Sequence, residues 1–320
     1  MTRASLPVAC RYFPLAHGKY EVAAGLRALG SESGNGATDA KVFQFDAEYP
    51  RYREGKLAAR AEWLEKYHPQ SVGLDDASSA EINRFIIESL ARDWPEYFQL
   101  VEGRALECAL SSERIVFDEG YRLISATQAT PPYRDLFDAL ASQLQEDLAI
   151  WRRDPDGDPQ GWLAAIHLCF PNHWAAEEKI GKPFNAVHQP VAGFGKLAKA
   201  APSLVGMMVE KGPFVRFAWG IGTDRDLNHH PGNEFQGRAF STTVPVLELR
   251  IERQTLTSFP EAGASLFTIR TYFLDVAKEI SGEEREALVS AIDSMTAESL
   301  AYKGLDGSKE AIKAWLGSLR

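Results

Sequence analysis

The order of apolar and polar positions lays out most of the chain. Phe214 to Ile221 alternates, with Val215, Phe217, Trp219 and Ile221 on one face and Phe214, Arg216, Ala218 and Gly220 on the other. Leu247 to Thr255 sends Leu247, Leu249 and Ile251 inward and Glu248, Arg250, Glu252 and Gln254 outward. Ser265 to Phe273 pairs an apolar face with Thr268, Arg270 and Tyr272, and Ser258 to Gly263 makes the hairpin loop between these two strands. Arg114 to Phe117 and Tyr121 to Ile124 form a second hairpin around Asp118-Glu119-Gly120. Leu163 to Phe170 is an apolar run ended by Pro171, which reads as a buried strand, and Lys41 to Asp46 reads as an edge strand.

Helical spacing fills the gaps. Tyr49 to Tyr67 carries Leu57, Ala61 and Leu64 on one stripe, and Ser79 to Trp94, capped by Ser78, buries Ile82, Phe85, Ile86 and Leu90. Leu136, Leu140, Leu144 and Leu148 predict a helix over Tyr133 to Arg153, closed by the turn DPDGDP. Another opens at Asn172 and Trp174 and ends at Gly181 and Pro183. Phe194 to Lys211 turns Leu197, Leu204, Met207 and Met208 inward, and Glu283 to Tyr302 and Lys309 to Leu319 complete the set. Residues 1–40 read as a mobile arm with a flexible loop at Ser31 to Thr38. Without βαβ alternation, the expected class is an antiparallel α+β fold with flanking helices.

Composition narrows the function classes. With 44 acidic and 35 basic residues, the formal charge of -9 argues against a nucleic-acid surface. Three widely spaced cysteines suggest neither a disulfide framework nor a zinc site and fit a reducing, cytoplasmic setting. No apolar run approaches the roughly 20 residues of a membrane helix. Glycine-rich phosphate loops, HExxH and GxSxG are absent.

Among the seven histidines, His17 and His68 sit in polar surroundings, while His167 and His173 suit structural roles in a strand and at a helix start. His229 and His230 are adjacent and should point apart. His188 lies between apolar neighbours just before Pro190, which suits either a metal ligand or a buried, hydrogen-bonded ring. The second constellation is Arg250, Glu252, Arg253 and Gln254, faced by Arg270 and Tyr272. It is a solvated ladder of charges on one reading and a carboxylate-binding surface on the other.

Six ordered blocks, FQFDAEYPRYREGK, LQEDLAIW, LAAIHLCFPNHWAAEEKIGKPFNAVHQPV, VRFAW, LRIERQTL and LFTIRTYF, resemble the haem-dependent oxidative N-demethylase alpha-subunit family over about Phe43 to Lys303. The resemblance implies a haem b bound by a PAS-like domain at 41–303, with the arm before it and a C-terminal helix at 304–320. It places the axial ligand on His188 and an arginine near the oxygen-binding side on Arg216. Trp219, Arg250, Arg253 and Arg270 are the further candidates for holding the haem, and Glu252 and Tyr272 those for receiving a protonated amine. The implied reaction oxidises a small secondary amine such as dimethylamine with dioxygen to a primary amine and formaldehyde. Electrons would come from NADPH through a partner subunit carrying FMN and a 2Fe-2S cluster, and a tetrahydrofolate-binding partner would take the formaldehyde. The rival is a haem-binding PAS-type sensor of gas or redox state without turnover. A further alternative is a PAS-like protein that has lost haem and binds another small ligand.

Overall fold

The computed structural model describes residues 5–31, 36–127, 130–234, 237 and 240–319. The larger of two antiparallel sheets is built from β1 (Arg27–Ala28), β6 (Asp147–Arg152), β7 (Trp162–His167), β8 (Phe214–Gly222), β9 (Glu248–Phe259) and β10 (Ala264–Asp275), in the order β1-β8-β9-β10-β6-β7. The smaller is a meander of β2 (Phe98–Val101), β3 (Ala105–Cys108), β4 (Glu113–Phe117) and β5 (Leu123–Ala126). The fold is α+β, as the patterning predicts.

Both faces of the large sheet are covered, which explains why its strands hold so few exposed positions. One face receives α4 (Phe184–His188) and α5 (Phe194–Glu210), packed on Ala149, Trp151, Leu163, Ile166, Phe267 and Ile269. The other meets α1 (Tyr49–Tyr67), α2 (Asp76–Asp93) and the small sheet on one side. On the same face it also meets α6 (Gly282–Asp293) and α8 (Lys309–Ser318). Because the polar positions of β9 and β10 lie under these layers, Arg250, Arg253 and Arg270 are buried and the solvated-ladder reading fails.

Several expectations are corrected. The leucine ladder at 133–153 is not one helix: Asp135 caps α3 (Leu136–Ala141), and from Asp147 the chain pairs with β10 and β7 instead. Since Leu148 and Ile150 enter one core and Ala149 and Trp151 the other, both parities are apolar and helical spacing mimics a strand buried on two sides. The segment after Asn172 is a series of turns, with the helix arriving later as α4. Lys41 to Asp46 joins no strand, although Val42, Phe43 and Phe45 are core. Asp75, not Ser78, caps α2. Helix α1 buries not the Leu57 stripe but Tyr52, Arg53, Lys56 and Arg60. The last long helix is broken into α6 and α7 (Ala297–Tyr302). The arm is docked: Tyr12 and Leu15 are buried in the core, and β1 pairs with β8. Of the predicted loop at Ser31 to Thr38, residues 32–35 lie outside the described residues.

Candidate functional site: a cavity between the sheet and the helices

On the α4–α5 face the core is incomplete. A cavity of about 1250 Å³ opens there, floored by Ala149, Trp151, Phe267 and Ile269 and roofed by Val187, Leu197, Leu204 and Met208. This explains why Leu197, Leu204 and Met208, predicted to point inward, are only half-buried: they point at space. The antiparallel register shows how the floor stays low. Across β8 and β9, Arg216 faces Gln254, Ala218 faces Glu252 and Gly220 faces Arg250. Small residues on β8 thus leave room above the polar ones on β9. A Cβ on Gly220 would meet only the Asn172 amide, at 4.0 Å.

His188 lies at the end of α4 and lines the cavity. Its ring stacks on Phe184 with centroids 4.0 Å apart, and its Nδ1 donates to the Phe184 carbonyl oxygen at 2.8 Å. Burial, helped by the nearby Arg216 cation, depresses its pKa to about 4, so the ring is neutral near pH 7. With Nδ1 committed to the backbone, Nε2 makes no hydrogen bond among the described residues and is left as the nitrogen for a ligand.

Arg216 lines the same space. Nη2 donates to the Ala23 carbonyl oxygen at 3.4 Å, while Nε is buried without a partner among the described residues. Burial lowers its pKa against the opposing pull of Glu252. A guanidinium with so few bonds has spare capacity, since a buried donor left unsatisfied costs about 1–3 kcal/mol. Trp219 also lines the cavity, from the other face of β8, packed edge-on against Tyr20 at 5.7 Å.

The remaining candidates are placed otherwise. Arg250 lines the cavity but spends both terminal nitrogens on the carbonyls of Phe170, Asp226 and Leu227. Arg253 points to the opposite face and donates to the carbonyls of Asp39, Lys41 and Val42. Arg270, also off the cavity, pairs with Asp46 at 2.7 Å between the rings of Tyr52 and Tyr272. The hydroxyl of Tyr272 is directed to Gln44, deep in the second core. These three therefore sit where they fasten the α1 side of the sheet. Of the two amine-site candidates, only Glu252 reaches the cavity.

Around Glu252 the sequence reading missed a polar end to the cavity. Glu252 accepts from Asn172 Nδ2 at 3.3 Å and from Gln254 Nε2 at 2.9 Å. The next residue, His173, has a positive φ of 64° and stacks on His229, with centroids 5.2 Å apart and planes within 9°. His229 Nε2 lies 3.0 Å from Asp224 Oδ1 and its Nδ1 3.4 Å from Arg250 Nη1. Burial and the Arg250 charge lower its pKa against Asp224. The approach of the loop at residue 237 needs glycine: at φ 61° a Cβ would lie 1.8 Å from Asp224 Oδ2. His230 points the other way, to Glu177 at 3.0 Å, as expected for neighbours in sequence. The polar end was recoverable only by knowing that two loops, 171–173 and 224–230, run side by side through the Asn172–His229 bridge.

A separate group of potential metal ligands, Asp147, His167 and Cys169, is buried away from the cavity. Its donors are already taken. Asp147 accepts from the Cys169 and Phe170 amides and lies 3.7 Å from Lys56 Nζ, and His167 Nε2 meets Asp138 at 3.1 Å. The buried Lys56 ammonium beside Asp147 also opposes a metal cation there.

Residues 35–313 match the family described as haem-dependent oxidative N-demethylase, alpha subunit-like. The chain belongs to this family. The match spans the site's sheet and helices but not the part of the cavity wall formed by Tyr12 to Arg27. The family's description names a haem, and the residues present fit one. A neutral imidazole with an uncommitted Nε2 suits iron, the floor and roof are apolar, and Arg216 has a buried nitrogen with no partner among the described residues. No helix of the described residues is long and apolar enough to cross a membrane.

Proposed function

We propose that the protein binds haem b in a PAS-like domain through His188 and oxidises a small secondary amine of the dimethylamine type, with dioxygen, to a primary amine and formaldehyde. The observation carrying this reading is the cavity in which a neutral, backbone-oriented His188 and an underbonded Arg216 share one space with Glu252. In chain order the five long strands lie 2-1-5-4-3 across the sheet, which supports the PAS-like assignment. Bound there, the haem would supply the chemistry of dioxygen reduction. His188 Nδ1, tied to Phe184, fixes the ring's tautomer and orientation. Arg216 offers a preorganised donor to negative charge developing in the cavity. Glu252, already oriented by Asn172 and Gln254, offers a carboxylate to the protonated amine. Among the described residues the cavity walls hold no nucleotide-binding loop, so electrons are assigned to a partner subunit carrying FMN and a 2Fe-2S cluster and fed by NADPH. A tetrahydrofolate-binding partner is assigned to the formaldehyde. The setting is assigned to the cytoplasm.

The purified protein should show a Soret band, and His188→Ala should lose it or regain it only with added imidazole. Formaldehyde release from dimethylamine, with a reductase and NADPH, checks the reaction. Haem binding without amine-dependent formaldehyde would leave the sensor reading, and an unchanged spectrum in His188→Ala would remove His188 as ligand.

A further inference from the structure

The polar end of the cavity contains an imidazole in an unusual position. His173 adopts a φ of 64°, a left-handed conformation that side chains other than glycine rarely enter. Three observations show how it is held there. Asn172 and His229 form a parallel bridge, the His173 amide donates to the His229 carbonyl oxygen at 3.0 Å, and the two rings stack. His229 is in turn immobilised by Asp224 and Arg250. His173 lines the same cavity as Glu252, whose carboxylate accepts from the side chain of Asn172, so an ammonium group paired with that carboxylate would share this space with the imidazole. Of the charged and titratable groups that line the cavity with it, His229 is in contact, and Glu252, Arg250 and Asp224, with Glu178 and Lys179 from the turn that follows, belong to the same polar end.

Resting on the amine-demethylating reading, we propose that His173 is the acid–base residue for the last, non-redox step, breakdown of the carbinolamine formed when a methyl group of the amine has been hydroxylated. In that step the N-hydroxymethyl amine separates into the demethylated amine and formaldehyde. The imidazole takes the hydroxyl proton, the O–H electron pair becomes the second C–O bond, the C–N bond breaks towards nitrogen, and the imidazolium returns the proton to that nitrogen. No electrons enter or leave, and no co-reactant is consumed. Neutral imidazole suits both halves because its ordinary pKa lies near neutral pH. His229, Asp224 and Arg250 are positioning residues that act through the stack.

The test exploits the backbone. Glycine is at ease at positive φ, so His173→Gly should retain the fold, haem content and Tm of the parent while losing the imidazole. With dimethylamine, dioxygen and electron donor, kcat should fall by about a hundredfold or more, with KM for the amine little changed. Added imidazoles should restore turnover, and among substituted imidazoles the restored rate should follow their basicity, which a purely structural role would not produce. His229→Gln, which keeps a hydrogen-bonding side chain but not the stacked ring, should show a smaller loss. A His173→Gly enzyme within about twofold of the parent overturns the proposal, as does a large loss that no imidazole repairs. A parent that releases no formaldehyde from any secondary amine instead overturns the reading on which it rests.

Discussion

At the scale of single residues, the cavity separates two arginine populations that look alike in sequence. Arg250, Arg253 and Arg270 tie their terminal nitrogens to carbonyls or to Asp46 by bonds of 2.7–3.0 Å, whereas among the described residues Arg216 makes one long bond, to the Ala23 carbonyl at 3.4 Å, and the Nε of all four lacks a hydrogen-bond partner. Arg216→Ala should therefore leave the fold intact. Losing one preorganised donor should weaken oxygen handling about a hundredfold, close to 3 kcal/mol, measured as the oxygen affinity and autoxidation rate of the ferrous protein. Falling haem content with both rates unchanged would make Arg216 an anchor for the haem's carboxylates instead. The histidines give a pH signature. Burial depresses His167 to about 4 despite Asp138. Between the ordinary value near 6.5 and that folded value, the unfolded chain takes up a proton the native state refuses. Stability should drop by up to about 3 kcal/mol as pH falls through that window. His68 runs the other way: burial would lower it, but Asp135 raises it, so its contribution is full at low pH and is lost as pH rises through its folded value. Urea unfolding of His167→Gln at about pH 7 and about pH 5 should show a flatter dependence than the parent, and an equal slope would clear His167 of that role.

At the scale of elements, the β8, β9 and β10 strands were legible because their alternation matched a sheet with distinct faces. Arg216 was correctly placed on the face shared with Ala218 and Gly220. Two elements were not legible, for a common reason. In β6 both side-chain parities meet an apolar layer, and in α1 the core-facing positions are Arg53, Lys56 and Arg60, whose partners are distant in sequence. Periodicity reports burial only when burial and polarity coincide. The polar end of the site was hidden similarly, because Asn172 and His229 meet only through tertiary contact. The β6–β7 connection offers an element-scale test. Gly161 has φ 55°, and a Cβ there would lie 2.1 Å from the Arg152 carbonyl oxygen. Gly161→Ala should destabilise the hairpin by more than about 1 kcal/mol, seen as a lowered Tm, and a parent-like Tm would show that the turn can re-form.

At the scale of the whole molecule, buried charge ties α1, in the layer opposite the cavity, to α3, to the small sheet and to β6 of the large one. Arg60 pairs with Asp138 at 2.8 Å, Lys56 lies 3.7 Å from Asp147 and donates to the Ala141 carbonyl at 2.8 Å, and Arg53 pairs with Glu113. Deleting one partner strands the other in a dry interior. Lys56→Met should therefore cost about 3–5 kcal/mol, and Lys56→Met with Asp147→Asn should recover part of it. A chemical-denaturation double-mutant cycle measures this, and strictly additive losses would show that the pair is not coupled.

The docked arm has a consequence of a different kind. Its residues Phe13 to Arg27 form one bank of the cavity, and Ala23 holds the Arg216 guanidinium, yet this strip precedes the segment shared with the family. Among the described residues its strand pairing with the sheet edge is short, Arg27 with Val215 and Ala28 with Phe214. What the pocket admits is therefore set partly by a border that the long strands, α4 and His188 do not supply.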